Sequence, residues 1–359
     1  MTANAGSRLL EQAQDYSPGE HPRAFGGAAG KGNIRTLADD FFVEETLPFE
    51  LTGEGEHLYL FIEKTGLNTA DVVRILSKVA SLHPRSIGFA GMKDRHAVTR
   101  QWFSLYLPGK PDPDLSSLPG NVRLLQTRRH NRKLRRGAVR SNRFRILIRD
   151  TVADSGELEA KLQRVAASGF PNYFGTQRFG RNGGNLERAI RVLERGKTRK
   201  ASEGIYLSAV RSMLFNEVLA ERIRQENWNR PIPGDVMQIA GSSSLFIADE
   251  ADATLMPRHE QLLVGVTGPL CGRDARIAPQ AGALALEQKA LANFSWWVEG
   301  LLRCRVEADR RMLRAAVNGL GFNIEKEMLE VEFMLESGCY ATSLLRELLD
   351  VQDVMQRGS

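Results

Sequence analysis

Two segments with strand periodicity enclose a long segment with helical periodicity, and this order limits the folds open to the chain. Within residues 142–149, apolar side chains alternate with arginines, so a strand there has one apolar face and one basic face. Alternation returns at residues 329–335, after a middle segment with helical patterns. The simplest arrangement is one domain formed by both ends of the chain and interrupted by an inserted, mostly helical domain.

The segment before the first alternating strand mixes strand and helix patterns. It predicts strands at 57–63, 87–89 and 101–107, and a helix that starts near Asn68 or Thr69. The helices predicted later in the chain are 186–193, 208–223, 283–302 and 341–349. The predicted fold class is therefore α+β, with a discontinuous mixed sheet domain and an inserted, mostly helical α+β domain.

A strongly basic stretch leads into the alternating strand. Residues 128–149 contain ten lysines and arginines and no aspartate or glutamate, although the net charge of the whole chain is only +6. Because such side chains neutralise phosphates, the stretch predicts a nucleic-acid surface; a solvated basic face without function is the alternative. The candidate contacts to an RNA backbone are Lys93, Arg95, Arg128, Arg129, Arg132, Lys133, Arg135 and Arg136.

Length and composition favour a cytoplasmic protein without covalent crosslinks. The chain has 359 residues, of which 42% are hydrophobic, enough to fill one large core or two moderate ones. Cys271, Cys304 and Cys339 are far apart and form no CxxC pair, which argues against disulfides and against a zinc site. No apolar run reaches the length of a signal peptide or of a membrane span, so we expect no membrane partner.

The stretch GFAGMKDRHAVTRQ, residues 88–101, has the features of an active-site loop. Its glycines allow close approach of a substrate, and loops at strand ends often carry functional side chains. Asp94 stands between Lys93 and Arg95, whose field favours a carboxylate suited to act as nucleophile or base. From spacing alone, a salt bridge within the loop is the commoner explanation. His96 is a weaker candidate, since a lone histidine is more often a scaffold residue.

Several familiar catalytic motifs are absent from the sequence. The stretch FGGAAGKG, residues 25–32, lacks the spacing of a Walker loop, and Gly32 stands where Ser or Thr would ligate magnesium. The sequence has no HExxH motif, no Cys/His cluster and no GxSxG motif. What remains is one carboxylate beside a basic surface, and we expect no metal site.

The loop and six further blocks resemble one enzyme family. GFAGMKDRHAVTRQW resembles the signature of the TruD family of tRNA pseudouridine synthases, in which the aspartate of the KD pair is catalytic. The other blocks, in the family's order, are DDFFVEE (39–45), GEGEHLYL (53–60), RHNRKLRRGAVRSNRF (129–144), PNYFGTQRFG (171–180), SAVRSMLFNEVLAER (208–222) and YATSLLREL (340–348). The resemblance covers nearly the full chain.

The resemblance assigns roles to individual residues. It implies that Asp94 is the catalytic carboxylate and that Phe41, Asn142 and Phe144 line a uridine pocket around it. Tyr340 stands where the family commonly has phenylalanine, so ring stacking is retained while the hydroxyl needs a partner or solvent. From the residues alone, a structural role is the commoner explanation. Phe41 and Phe144 lie on alternating strands, where aromatic side chains usually belong to the core, and Asn142 could cap a turn.

The resemblance also implies a domain organisation and a substrate. A pseudouridine-synthase-like catalytic domain is expected at residues 1–167 and 315–359, and an inserted TRUD domain at 168–314. The implied substrate is tRNA, modified at uridine 13. The implied assembly is a monomer with no obligatory protein partner.

The implied reaction explains the absent motifs. Pseudouridine formation detaches uracil from C1′ of the ribose and reattaches it through C5, so it needs no cofactor, metal or energy source. Uracil leaves as a stabilised anion and stays in the pocket, which suggests that one carboxylate suffices. Asp94 could attack C1′, attack C6 of the base, or deprotonate the sugar to give a glycal. The nucleotide must first be flipped out, and aromatic faces such as Phe41 and Tyr340 could hold it.

Two other functions are compatible with the basic stretch. A non-catalytic RNA-binding protein would bind tRNA with a steep salt dependence and leave no modified base. A methyltransferase would depend on adenosylmethionine, and the sequence has no glycine-rich turn between a strand and a helix to support one.

Overall fold

The structure is a computed structural model that describes residues 3–180, 183–249 and 252–357. The described helices are α1 Ala3–Gln14, α2 Thr69–Val79, α3 Ser155–Ser168, α4 Gly184–Arg195, α5 Gly204–Arg224, α6 Leu255–Glu260, α7 Ala281–Leu291, α8 Ser295–Arg303, α9 Ala341–Leu348 and α10 Val354–Arg357. The described strands are β1 Gly30–Ile34, β2 Phe41–Thr46, β3 His57–Thr65, β4 Ile87–Phe89, β5 Val98–Tyr106, β6 Val122–His130, β7 Ser141–Ala153, β8 Phe170–Pro171, β9 Val236–Ile239, β10 Leu245–Ile247, β11 Val264–Leu270, β12 Asp309–Met312, β13 Arg314–Ala315, β14 Asn318–Glu325, β15 Met328–Glu336 and β16 Asp350–Asp353. Within these ranges, none of the helices has the length and apolar character that crossing a membrane requires.

The chain forms two compact units. The first unit contains Met1–Gly27, Gln163–Ala316 and Cys339–Glu347, and the second contains Ala28–Leu162, Val317–Gly338 and Leu348–Ser359. Both units are therefore discontinuous in sequence. Residues 1–27 and 339–347 are grouped with the middle of the chain, whereas the sequence assigned them to the split domain. The domain boundaries at 167/168 and 314/315 stay a prediction.

The second unit is built on a sheet of ten strands from the described residues. Seven strands follow the order β14-β15-β7-β2-β5-β3-β6, while β1 pairs with β7 and β16, and β4 pairs with β5. The pairs β1–β16 and β2–β5 are parallel, and the other pairs are antiparallel. This mixed sheet, together with helices concentrated in the first unit, confirms the predicted α+β class.

Strand β7 shows the alternation expected from its sequence. Phe144, Ile146 and Ile148 are buried, whereas Arg143 and Arg145 are exposed. The strand lies between β15 and β2, so its apolar face is part of the core. Arg149 is different, because its guanidinium binds the buried carboxylate of Asp40 over an N–O distance of 2.8 Å. The exposed positive charge of this face is therefore carried by Arg143 and Arg145, while Arg149 is paired with Asp40.

Helix α2 lies against the same sheet and begins after Asn68, as predicted. The carboxylate of Asp71 accepts a hydrogen bond from the backbone N–H of Asn68 over 2.9 Å, which satisfies a donor at the helix start. Val72, Val73 and Leu76 are buried in one cluster with apolar residues of β3, β4 and β5. These apolar side chains hold the helix on the sheet.

The first unit has a largely helical core. Helices α4, α5 and α8 contribute Leu193, Phe215 and Trp297 to one buried cluster. A four-stranded sheet with the order β10-β9-β11-β12 accompanies them.

The prediction of one helix over residues 283–302 of this unit is wrong, because the segment forms two helices. Helix α7 ends at Leu291 and α8 begins at Ser295, with the 3-10 turn Ala292–Phe294 between them. The backbone carbonyl of Asn293 accepts a hydrogen bond from the side chain of Gln12 over 3.3 Å. Asparagine is a weak helix former, and no glycine or proline marks the break, so an apolar periodicity that continues through the turn conceals it.

Candidate active site

The loop between β4 and β5, residues 90–97, presents the carboxylate of Asp94 with 28% of its side chain exposed. One carboxylate oxygen, Oδ1, accepts a hydrogen bond from the backbone N–H of His96 over 3.1 Å. The other, Oδ2, lies 3.3 Å from Nη2 of Arg35. The carboxylate is therefore held in place while part of its surface stays open to solvent.

Arg35, directly after β1, is the cation that faces the carboxylate of Asp94. Its side chain is only 4% exposed, and its guanidinium also binds Asp353 and lies over the ring of Phe41, with Cζ 4.0 Å from the ring centroid. Its backbone has a φ of 57°, a left-handed conformation that costs a residue with a side chain about 1 kcal/mol. Sequence reasoning missed Arg35 and Asp353, because both lie outside the KD motif and no local spacing connects them.

Lys64, on β3, supports the same loop from the interior of the unit. Its side chain is fully buried, and its ammonium donates hydrogen bonds to the backbone carbonyls of Asp94, over 2.8 Å, and Leu67, over 2.5 Å. Burial lowers the pKa of Lys64 to about 8, while the nearby Asp94 carboxylate opposes this shift. The backbone of Asp94 is therefore anchored by a buried amine that sequence reasoning also missed.

Lys93, the other half of the KD pair, turns its side chain into the protein. Its side chain is 9% exposed, and Nζ lies 3.3 Å from Oε2 of Glu45 and donates a hydrogen bond to Oδ1 of Asn142. Glu45 and Asn142 are directly opposite each other on β2 and β7. Burial raises the pKa of Glu45, and the Lys93 ammonium opposes that rise. This network fixes the side chain of Asn142 and occupies Lys93 with protein partners.

The two phenylalanines assigned to the pocket are both buried. Their rings meet edge to face, with 6.3 Å between the centroids of Phe41 and Phe144, and Phe144 also stacks on Phe333 at 5.3 Å. Phe41 contacts the guanidinium that holds the Asp94 carboxylate. The second unit thus brings Phe41, Phe144 and, through Lys93, Asn142 together around the loop of Asp94.

Tyr340 belongs to the first unit. It lies just before α9, and its ring packs against Phe174 at a centroid distance of 6.0 Å. Its assignment to the uridine pocket therefore stays a prediction.

The basic stretch begins at the end of β6, passes through a loop at residues 131–140 and continues into β7. The exposed side chains among the predicted contacts are Arg95, Arg128, Arg132, Lys133, Arg135 and Arg136. By contrast, Arg129 is partly buried and forms an ion pair with Asp112 over 2.5 Å. The structure therefore presents a band of exposed cations in the second unit.

The chemistry open to this arrangement is that of a single fixed carboxylate. A carboxylate that is positioned by a guanidinium and a backbone N–H can act as a nucleophile or as a proton acceptor. Its target would be the ribose or the nucleobase of a bound nucleotide. In the part of the chain that the structure describes, no group of three or more His, Cys, Asp and Glu side chains is arranged to hold a metal ion.

Comparison with known proteins decides the family. The model of the family described as tRNA pseudouridine synthase D (TruD) matches residues 24–203 and 181–348. The chain belongs to the TruD family. This confirms the predicted resemblance and the predicted enzyme class, an isomerase of the pseudouridine synthase type.

Relatives in the TruD family match over most of their length. The tRNA pseudouridine synthase D of Methylococcus capsulatus is 44% identical over 333 residues, which are 92% of this chain and 94% of the relative. The protein of the same name from Pseudomonas aeruginosa is 42% identical over 340 residues, 92% of this chain and 94% of the relative. The crystal structure of a candidate TruD protein from Methanosarcina mazei has the same fold, with a TM-score of 0.72, 21% identity, and coverage of 97% of this chain and 99% of that one.

Proposed function

We propose that this TruD-family enzyme isomerises uridine to pseudouridine in tRNA, at uridine 13, with Asp94 as the catalytic carboxylate. The observation that carries the proposal is the setting of Asp94, whose two carboxylate oxygens are held by Arg35 and by the His96 N–H while the side chain stays partly exposed. Relatives named tRNA pseudouridine synthase D support tRNA as the substrate.

The reaction moves one glycosidic bond. The bond between N1 of uracil and C1′ of the ribose breaks, a bond between C5 and C1′ forms, and the proton lost from C5 is balanced by one gained at N1. Asp94 starts it by attack at C1′, by attack at C6, or by removing a proton from the sugar, and each of these steps needs a flipped-out nucleotide beside the carboxylate. Arg35 holds the carboxylate during the reaction, and Lys64 holds its backbone.

Asn142 is proposed to read the base in the pocket. Its side-chain oxygen accepts a hydrogen bond from the Lys93 ammonium, which can only donate, so the Asn142 amide NH₂ remains as the donor. A carbonyl oxygen of uracil is a suitable acceptor for that NH₂. Phe41 and Phe144 shape the apolar side of the pocket, and Tyr340 is proposed to stack on the base.

The exposed cations of the basic stretch are proposed to bind RNA phosphates and so offset the cost of flipping the nucleotide. They are Arg128, Arg132, Lys133, Arg135 and Arg136, joined by Arg95 of the loop. Lys93 and Arg129 were predicted as further contacts, but both have protein partners. We propose that these two act by holding Asn142 and the basic surface in position.

The test is release of tritium from C5-labelled uridine in tRNA, because isomerisation removes the hydrogen at C5. Asp94→Asn is expected to abolish release while tRNA binding is retained. Asp114→Asn, which alters an exposed carboxylate of the same unit, is the matched control and is expected to keep normal release. Normal release by Asp94→Asn would refute the catalytic assignment, and sequencing of the modified tRNA identifies the target position.

Membership of the TruD family argues against the alternative of a non-catalytic RNA-binding protein, and the same assay tests it. A non-catalytic RNA-binding protein would bind tRNA and release no tritium with the native chain. A cytoplasmic location and a monomeric state without an obligatory protein partner stay predictions of the sequence.

A further inference from the structure

A second groove lies in the same unit as Asp94 and shares no lining residue with the network around it. The side chains that matter for its chemistry are Phe49, His57, His130, Arg132, Lys133 and Arg135, and its volume is about 900 Å³. This volume falls in the range of cavities that bury small ligands.

One wall of the groove is an aromatic stack. The ring of Phe49 lies parallel to that of His130, with 5.0 Å between centroids and 11° between planes. His130 is buried and is fixed in turn by an edge-on contact with Tyr59 at 5.3 Å. Phe49 is 37% exposed, which makes it the outer member of the stack. A partly exposed ring that is stacked on a buried neighbour is a platform on which a nucleic-acid base can stack.

The other wall is positively charged. Arg132, Lys133 and Arg135 are exposed along the 131–140 loop, and none of the described residues that line the groove is acidic. The loop is held in place, since the Tyr59 hydroxyl donates to the carbonyl of Arg132 over 3.1 Å and Lys133 Nζ donates to the carbonyl of Arg85 over 2.5 Å. The guanidinium groups of Arg132 and Arg135 are therefore presented from a loop that two hydrogen bonds hold, where they can bind phosphates.

His57 adds a buried polar group to the same groove. Its side chain is 8% exposed, and its Nδ1 has no hydrogen-bond partner within the described ranges. Burial lowers the pKa of His57, so the ring is neutral near pH 7, with one nitrogen as donor and the other as acceptor. A hydroxyl group can donate or accept, so it can pair with either tautomer, and the ribose 2′-hydroxyl is the feature that distinguishes RNA from DNA.

We propose that this groove binds one unstacked nucleotide of a single-stranded RNA segment, apart from the uridine pocket. The base stacks on Phe49, the flanking phosphates bind Arg132 and Arg135, and the ribose 2′-hydroxyl pairs with His57. RNA as the ligand rests on the proposed function, and the groove adds a second recognition site to it. An acidic peptide would use the cations but would not need the flat exposed ring.

The test uses a short single-stranded RNA that carries 2-aminopurine, whose fluorescence is quenched when the base stacks. Binding to the Asp94→Asn protein is expected to quench the fluorescence. Adding Phe49→Leu is expected to weaken binding about tenfold and to remove the quench. The matched control is Phe322→Leu, another exposed phenylalanine of the same unit, which is expected to change neither.

Two further variants test the phosphate and ribose contacts. Arg132→Ala with Arg135→Ala is expected to reduce the slope of log affinity against log salt by about 1.4, the value for two phosphates on a single strand. Arg74→Ala with Lys78→Ala, which removes two exposed cations from α2, is the charge-matched control and is expected to leave the slope unchanged. His57→Phe is expected to remove the preference for RNA over DNA of the same sequence.

Unchanged affinity and quench in Phe49→Leu would overturn the proposal, as would equal binding of RNA and DNA by the parent protein. Polyglutamate that binds as tightly as the RNA and is insensitive to Phe49→Leu would instead identify a general anion surface, which also overturns it. Because binding is measured in the Asp94→Asn background, its outcome is independent of the tritium assay, and either proposal can fail alone.

Discussion

Lys64 donates a hydrogen bond from its buried ammonium group to the backbone carbonyl oxygen of Asp94, over 2.8 Å. The loop that presents the proposed catalytic carboxylate is thus tied to strand β3 by an amine without contact to solvent. The same ammonium binds the carbonyl of Leu67, at the turn that leads into α2. Strand, turn and loop therefore share one anchor.

Lys64→Met is expected to lower kcat about tenfold or more and to change KM for tRNA much less, because it displaces the Asp94 carboxylate while the exposed cations of residues 128–136 keep their places. Steady-state tritium release measures both constants. Lys78→Met, at an exposed position near the end of α2, is the control and should behave as the native protein. A Lys64→Met protein with normal kcat would show that the anchor is irrelevant to catalysis.

Stability should depend on pH through the same lysine, because burial lowers the pKa of Lys64 from 10.5 to about 8. Below about pH 8, Lys64 is charged in both the folded and the unfolded chain, so the cost of burying the charge is fully present. Between pH 8 and 10.5 the folded chain loses the proton first, and this cost is removed. The free energy of unfolding of the native protein should then rise relative to Lys64→Met, by up to about 3 kcal/mol. Urea unfolding of both proteins measures this difference, and a constant difference across the window contradicts the prediction.

Arg35→Met is expected to destabilise the protein by about 3 kcal/mol and to reduce activity strongly, because it leaves two carboxylates, Asp94 and Asp353, without their shared cation. Arg35→Lys should retain more activity than Arg35→Met, since it keeps the charge but cannot bridge both acids and cover Phe41 with one planar group. Urea unfolding and tritium release give the two readouts. Arg74→Met, at an exposed arginine, controls for loss of charge, and equal activity of the two Arg35 variants would contradict this account.

Gly88→Ala is expected to cost about 2 kcal/mol of stability and to impair catalysis. A Cβ at this position of β4 would lie 2.4 Å from the carbonyl oxygen of Leu134 and 2.6 Å from Oγ of Ser104, so β4 must move away from the basic loop. Thermal unfolding and tritium release measure the two effects. Gly120→Ala is the matched control, because nothing lies within 4 Å of its Cβ and its backbone needs no left-handed conformation.

Glu45 and Lys93 should be strongly coupled in stability. Glu45→Ala leaves the Lys93 ammonium buried without its carboxylate partner and is expected to cost about 3 kcal/mol, whereas Lys93→Met in the same background should recover part of that loss. A double-mutant cycle by urea unfolding measures the coupling. If the losses of stability in the two single variants add up to the loss in the double variant, the Glu45–Lys93 interaction has no coupling energy.

The strand that carries Asn142 and Phe144 could be predicted from sequence, because alternation along β7 is a local property that burial of one face imposes. The start of α2 was equally visible in the residues around Asn68. Both patterns depend only on residues that are close in sequence. They can therefore be recognised in one sequence without comparison to relatives.

The partners of Asp94 could not be found in this way. The loop motif predicted Lys93 and Arg95 as the flanking cations, yet the carboxylate faces Arg35, which reaches it through the arrangement of β1 in the sheet. Lys64 stands at the end of an ordinary strand pattern, and nothing local marks it as buried. A long-range contact of a lone charged residue depends on strand order, which single-sequence periodicity does not contain.

The contact between Arg35 and Asp353 joins two positions 318 residues apart. At a synthesis rate of about 5–20 residues per second, the arginine leaves the ribosome tens of seconds before its acid exists. During that interval β1 has no parallel neighbour, and the guanidinium beside the Asp94 carboxylate lacks one of its two counterions. A polypeptide that ends before residue 350 would therefore lack both the parallel partner of β1 and the second carboxylate that holds Arg35 beside Asp94.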